Sequence, residues 1–310
     1  MRIRKKIVKG IEYNYMEETI RLETPKVYSI FLGRKIPSKT ELEHAEQMLF
    51  NKIYTDLLDG TQPVHLTKEQ LVEAEKHRRR YFQKIKKLSK ARQDEKDEVD
   101  IVNFVYTTLT TEGVPITKED ANLAYNFTQK NIKNIRDENL QVALDMIKGL
   151  RHVKESKKGI DQKFILELHK IIMAGYKERK PGIFRKKQAY IYLKSYQKVE
   201  EIGFRPSAPD DIKTKIDEIV NWYNSNIGKL SAIELAALLH LKFYRVHPFE
   251  DGNKRVSRLL INKALFDAGY PMLNISKDTK GYFDALIYSV EKNDEQQFVM
   301  FVFEQFIKFI

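Results

Sequence analysis

HPFEDGNKRVSR, residues 247–258, decides how this chain is read, because it places a histidine, an acidic pair, a glycine turn and three cations between two helical patterns. Upstream, residues 231–244 (SAIELAALLHLKFY) repeat apolar side chains at helical spacing, and downstream residues 256–266 (VSRLLINKALF) do the same. Pro248 and Gly252 interrupt helical pairing, so the spacing predicts a helix, a compact loop and a second helix opening near Asn253. The first turn of that second helix presents unpaired backbone N–H groups and the positive end of the helix dipole, a natural seat for phosphate.

Residue chemistry assigns roles within this span. An imidazole with an ordinary pKa of about 6.5 is mostly neutral at neutral pH, so His247 can take a proton from an attacking hydroxyl. Asp251 is a hard oxygen donor of the kind Mg²⁺ takes alongside water and substrate phosphates. Gly252, Asn253 and Lys254 offer backbone and side-chain donors to phosphate. Arg255 and Arg258 share a helical face and can clamp successive phosphates. The set points to nucleotide-dependent transfer onto a hydroxyl.

These residues resemble the signature of Fic-domain proteins, His-Pro-Phe-x-Asp/Glu-Gly-Asn-Gly/Lys-Arg-x-x-Arg, and every fixed position is filled. The resemblance implies a mainly α protein with a helical core and a β-hairpin flap, and transfer of AMP from ATP, with Mg²⁺, to Ser, Thr or Tyr hydroxyls of target proteins. It makes His247 the general base, Asp251 the Mg²⁺ ligand, Gly252 to Arg255 the anion hole and Arg258 the contact to the terminal phosphate. Lys254 stands where most adenylylating members have Gly; a branch resembling Doc toxins has Lys there and transfers phosphate from ATP bound in reverse. Gly252 and the retained Arg258 favour AMP transfer, with phosphate transfer through the same residues as the alternative.

A second motif lies upstream in TTLTTEG, where Thr108 and Glu112 share a helical face and Gly113 follows as a helix terminator. It resembles the family's inhibitory pattern Ser/Thr-x-x-x-Glu-Gly/Asn, in which the glutamate pairs with the second arginine, here Glu112 with Arg258. Removal of AMP by the same glutamate is a further possible activity. In residues 182–209, the alternating run 188–193 is hairpin chemistry inside a helical region. In the family, the flap after a Gly-x-Phe-Arg segment such as 182–185 covers the site and registers the target as an added strand, which brings Ile191 and Tyr192 near the nucleotide. Tyr282 resembles a tyrosine near the adenine, although Val290 stands where a family asparagine is expected. His240 reads as a packed helix residue, since no third nitrogen ligand or cysteine accompanies it.

Organisation follows from composition. Residues 1–37 read as a β-hairpin module, strands at 11–22 and 26–32 flanking 23–25; residues 38–99 as a charged helical region broken at 59–63; and 100–310 as helical apart from the hairpin, a part that the resemblance implies is the Fic domain, with an inhibitory helix near 100–113 and a flap near 185–206. Residues 90–100, the most polar stretch, read as a linker. The aromatic-rich end, 296–310, is expected to pack on the core or on a second subunit, so a homo-oligomer is one expectation. With 310 residues, 42% hydrophobic and 32% charged, the chain can bury a core and has no membrane span. A cytoplasmic protein is expected, and the lack of cysteine excludes thiol chemistry. The net charge of +12 is concentrated in residues 76–92, KHRRRYFQKIKKLSKAR, which read as an amphipathic basic helix. A solvated face is favoured there over a nucleic-acid surface, which would make the chain a binding adaptor rather than an enzyme.

Overall fold

The computed structural model of the chain describes every residue but 21–25, 59, 131, 133, 134, 136, 195–200, 276–278 and 310, with backbone alone for 177, 193, 194, 201, 202, 279 and 309. The fold is mainly α, and the described residues form two compact units: 1–61 with 67–76, and 62–66 with 77–310.

The first unit is built on an antiparallel sheet, β1 (Arg2–Val8), β2 (Ile11–Ile20) and β3 (Lys26–Gly33), in the order β1-β2-β3. The sequence pattern predicts only the last two strands. β1 escapes it because RIRKKIV is exposed at every residue and so shows no alternation of core and solvent. Lys9 and Gly10, at φ 50° and 78°, form the two-residue turn whose twist matches the strands it joins. The predicted turn at 23–25 lies outside the described residues. Helix α1 (Lys39–Leu57) starts at a capping box, Ser38 with Glu41. Its Leu49, Phe50 and Ile53 bury against Met16 and Tyr28, with Ile20 and Ile30 at the margin, so one face of the sheet makes the core. Val72, from helix α2 (Lys68–Lys86), completes that cluster.

The second unit holds the remaining helices. Its α3 (Lys90–Thr111) corrects the expectation of a linker at 90–100, which is the first half of the helix. Ser89 caps it, and the ion pairs Lys90–Asp94 and Lys96–Asp100, at 2.8 and 2.6 Å, tie successive turns, so its polarity is that of a helix laced by i,i+4 charges. The basic run 76–92 is likewise two helical pieces, since α2 ends at Lys86 and α3 begins at Lys90. Arg78 donates to the Gly269 carbonyl at 3.1 Å and lies over the Tyr270 ring, so part of the run packs.

After α4 (Lys118–Gln129), α5 (Glu138–Glu155) packs on α6 (Gln162–Ile172) and α9 (Asn253–Asp267). Gly149 permits this approach: a Cβ there would stand 2.4 Å from Ile172 Cγ2 and 3.1 Å from Leu259 Cδ1. Strands β4 (Ile191–Lys194) and β5 (Glu201–Phe204) pair antiparallel as the hairpin anticipated for the flap, its turn at 195–200 being outside the described residues. Then follow α7 (Ile212–Asn226), α8 (Ala232–Val246), α9, α10 (Thr279–Glu291) and α11 (Gln296–Phe309). Glu234 anchors the start of α8: fully buried, its carboxylate accepts from the backbone N–H of Val64, His65 and Leu66 at 2.9 to 3.0 Å and from Ser231 Oγ at 2.9 Å. α11 packs on α8 and α10 through buried Phe298, Val302 and Phe306, which resolves its aromatic face as core. Among the described residues no helix is long and apolar enough to cross a membrane.

Candidate active site

Helices α8 and α9 meet at the loop the sequence singles out. α8 ends on His247, whose backbone is left-handed (φ 49°, ψ 61°), a conformation that costs a non-glycine residue energy and turns the chain sharply. Pro248 prevents further helix. Asn253 fixes the return, donating from Nδ2 to the Phe249 carbonyl at 2.8 Å and accepting the Phe249 N–H at 2.9 Å. One N–H and the oxygen of its buried amide are thus engaged within the loop. Gly252 caps α9 at φ 76°, and a Cβ there would stand 2.9 Å from Met173 Sδ, so both conformation and space require glycine.

Two residues that motif reading does not reach hold this loop from beneath. His169, fully buried on α6, accepts the Gly182 N–H on Nδ1 at 2.8 Å, so its protonated Nε2 donates to the Asp251 carbonyl at 3.1 Å. Its ring stacks on Phe249 with centroids 3.6 Å apart. Burial pushes its pKa down to about 4, which keeps this tautomer neutral. Arg185, 3% exposed, donates to the carbonyls of His247 at 2.8 Å, Lys187 at 2.9 Å and Ser207 at 2.5 Å, while its own backbone N–H reaches the Pro248 carbonyl. One guanidinium therefore ties both stems of the hairpin to the loop between α8 and α9.

A cleft of about 450 Å³ opens above, lined by the α3 terminus (Thr111, Glu112, Gly113), the hairpin (Tyr190, Ile191, Tyr192) and Tyr244, His247, Lys254 and Phe283. The hairpin thus brings Ile191 and Tyr192 to the wall of the cleft that holds His247. Burial pushes the His247 imidazole down to about 4; Arg185 and Lys254 push the same way, while the Tyr244 carbonyl and Asp251 oppose them. The ring is therefore neutral at neutral pH. Tyr244, whose ring meets His247 edge-on at 5.4 Å, carries a buried hydroxyl with no hydrogen-bond partner among the described residues. Burial and the charge of Glu112 hold that phenol protonated.

The cations sit around this cleft with unequal freedom. Lys254 Nζ lies 3.8 Å from Glu112 Oε1 and 5.5 Å above the Phe283 ring. Arg255, 4% exposed, donates to Asp251 Oδ1 at 3.2 Å and has Nε 3.7 Å from Glu112 Oε2. Glu112 thus faces Arg255 and Lys254, which corrects the expected pairing with Arg258. Arg258 sits one turn deeper, 2% exposed, its guanidinium 4.5 Å above the Tyr282 ring and its nitrogens without hydrogen-bond partners among the described residues.

Tyr282 is fully buried, its hydroxyl 3.1 Å from His240 Nε2, and does not line the cleft; the neighbouring Phe283 does. The two point to different sides of α10, and only the packed structure tells which side faces the opening. His240 is fully buried within α8, as a packed helix residue. Thr108 is buried in α3, 1% exposed, away from the cleft lining.

Among the described residues no three acidic, histidine or cysteine side chains converge on a metal position. The Asp251 carboxylate is nevertheless 40% exposed beside Arg255. A single outward carboxylate suits Mg²⁺ that takes its remaining ligands from water and phosphate.

Residues 159–265, which include the whole of this loop, match the family model described as Fic/DOC family. The protein named Protein adenylyltransferase Fic of Drosophila erecta is 32% identical over 174 residues, 55% of this chain and 33% of the relative. That of Drosophila melanogaster is 31% identical over a stretch of the same length. The chain thus spans about a third of the length of these curated relatives. Among solved structures, a Fic domain containing signaling protein from Bacteroides thetaiotaomicron superposes with a TM-score of 0.64 at 24% identity, covering 77% of this chain and 93% of that one. Fic-1 of C. elegans superposes with a TM-score of 0.62 at 20% identity, covering 88% and 76%. Both likenesses are of fold.

Proposed function

We propose that this chain, which carries a Fic domain, is a protein adenylyltransferase that moves AMP from ATP to a Ser, Thr or Tyr hydroxyl of a target protein in the cytoplasm. The observation that carries the reading is the shared cleft: a neutral imidazole on the residue that caps α8 and a cation in the first turn of α9, His247 and Lys254, line one cavity of nucleotide size. His247 accepts the proton of the target hydroxyl as its oxygen bonds to the α-phosphorus. The bond from that phosphorus to the bridging oxygen breaks, and pyrophosphate leaves with the electron pair. The first-turn N–H groups of α9 with Arg255 and Arg258 neutralise the phosphates. Asp251 would hold Mg²⁺, which supplies charge neutralisation on those phosphates.

The target lies along the hairpin as an added strand, its backbone pairing bringing the hydroxyl to His247. Glu112 restrains the reaction by occupying Arg255 and Lys254. Phosphate transfer is the second reading, favoured by Lys254 alone. Lys254 is drawn toward Glu112 and Phe283, which leaves the backbone turn at Gly252 to the nucleotide. ATP labelled at the α- or at the γ-phosphate separates the two. Label from the α position on protein supports the adenylyltransferase; label from the γ position alone replaces it with a kinase.

A further inference from the structure

The outer face of the three-stranded sheet in the first unit has no part in the reaction above, and its composition is not that of an inert surface. Strand alternation and register put Arg2, Arg4 and Lys6 of β1, Tyr13, Tyr15 and Glu17 of β2, and Phe31, Ser29 and Val27 of β3 on this face. The opposite face carries Met16, Tyr28 and Ile30 into the core. The outer aromatic residues therefore are not needed to build the core.

Phe31 is 57% exposed and contacts both Tyr13 and Tyr15, each with centroids 5.4 Å away and planes inclined at 52° and 66°. Cations interleave with these rings: Lys6 Nζ stands 4.9 Å from the Tyr15 centroid, and the Arg34 guanidinium 5.7 Å from that of Tyr13. Arg2, Arg4 and Lys6 repeat along β1 at a spacing of roughly 6.8 Å, two residues of extended chain. The acid on this face, Glu17, is buried to 5% exposure between Arg4 and Lys6, at 3.5 and 2.5 Å. Those two cations are still 48% and 47% exposed, so they neutralise Glu17 and continue to face solvent.

We propose that this face binds single-stranded nucleic acid, with bases stacking on Phe31, Tyr13 and Tyr15 and phosphates tracking the cations of β1 and Arg34. An exposed ring at Phe31, part-exposed rings at Tyr13 and Tyr15 and the cations beside them match the two repeating features of an unpaired polynucleotide, base planes and phosphates. A duplex hides its base faces, and an acidic peptide has none, so the aromatic cluster selects the single strand over both. The basic run at 76–92 is the more obvious candidate in sequence, but Lys76 is buried there and Arg78 is engaged with Gly269 and Tyr270.

The test is fluorescence anisotropy of a labelled mixed-sequence single-stranded 12-mer of DNA titrated with the full chain at low salt. Binding is expected, with affinity falling as salt rises, and with the duplex of the same sequence and poly-glutamate competing poorly. Phe31→Ala with Tyr15→Ala should weaken binding by about tenfold or more. Arg2→Gln with Arg34→Gln should flatten the logarithmic salt slope by about 0.7 for each phosphate that is no longer neutralised. Absence of binding, equal competition by duplex or poly-glutamate, or aromatic variants that bind like wild type while retaining its thermal unfolding would overturn the proposal. The comparison of single strand, duplex and poly-glutamate on the wild-type chain decides it even if the variants fail to fold.

Discussion

The carboxylate of Glu112, at the C-terminal end of α3, stands 3.7 Å from Nε of Arg255 in the first turn of α9. With Lys254 at 3.8 Å on its other side, it occupies the charge that the proposed reaction would offer to an incoming phosphate. Both partners are nearly buried, at 10% and 5% side-chain exposure, so water screens the pair weakly. Shifting a two-state equilibrium from 1:99 to 99:1 takes about 5.5 kcal/mol, and breaking a buried pair typically costs about 3–5 kcal/mol, so one residue is enough to restrain the site. Glu112→Gly is therefore expected to raise AMP transfer by about 10- to 1,000-fold, measured as initial rates on a protein acceptor. An unchanged rate removes Glu112 as the brake.

His247 has its pKa held at about 4 in the free protein. Acidification should therefore leave kcat/KM intact well below pH 6.5, the ordinary imidazole value, with the acid limb moving toward pH 4. A limb centred near 6.5 contradicts the buried, neutral base. His247→Ala should reduce transfer by at least about a hundredfold.

The buried position of His169 predicts a stability effect with a defined sign. Its folded pKa of about 4 lies below the value of about 6.5 in an unfolded chain, so the unfolded state takes up the proton first. Stability should be undiminished above pH 6.5 and fall as pH drops toward 4, by up to about 3 kcal/mol from this group. In His169→Gln that part of the slope disappears, which urea denaturation at a series of pH values measures. The same variant should lower kcat through a misplaced Asp251 loop.

Phe283 and Tyr282 separate lining from support. Phe283→Ala should raise KM for ATP about 5- to 50-fold with little change in thermal stability, since the ring faces the cleft. Tyr282→Phe removes only the hydroxyl paired with His240, and should cost about 1 kcal/mol of stability while leaving KM near wild type. The reverse pattern would return the nucleotide contact to Tyr282.

The loop at 247–258 is legible in the sequence because its chemistry and its geometry are local: Pro248 and Gly252 dictate the break, and α9 begins at the expected Asn253. The hairpin follows from alternation in residues 188–193. Features that depend on how helices rotate against one another are not legible. Glu112 meets Arg255 rather than Arg258 because the packing of α3 on α9 selects the upper turn. Phe283 rather than Tyr282 lines the cleft because one residue of helix turns a side chain by about 100°. His169 leaves no signal, as a histidine inside the apolar pattern FILELHKII reads the same whether it holds a loop or merely fills space. The polar stretch at 90–100 misleads because alternating charge serves solvated helices and linkers alike.

Intact mass of the wild type, Glu112→Gly and His247→Ala chains after incubation with MgATP and a protein acceptor tests the central claim most directly. An added AMP on protein is expected with the wild type, more with Glu112→Gly, and none with His247→Ala. An added phosphate, or an AMP adduct that survives loss of His247, contradicts it.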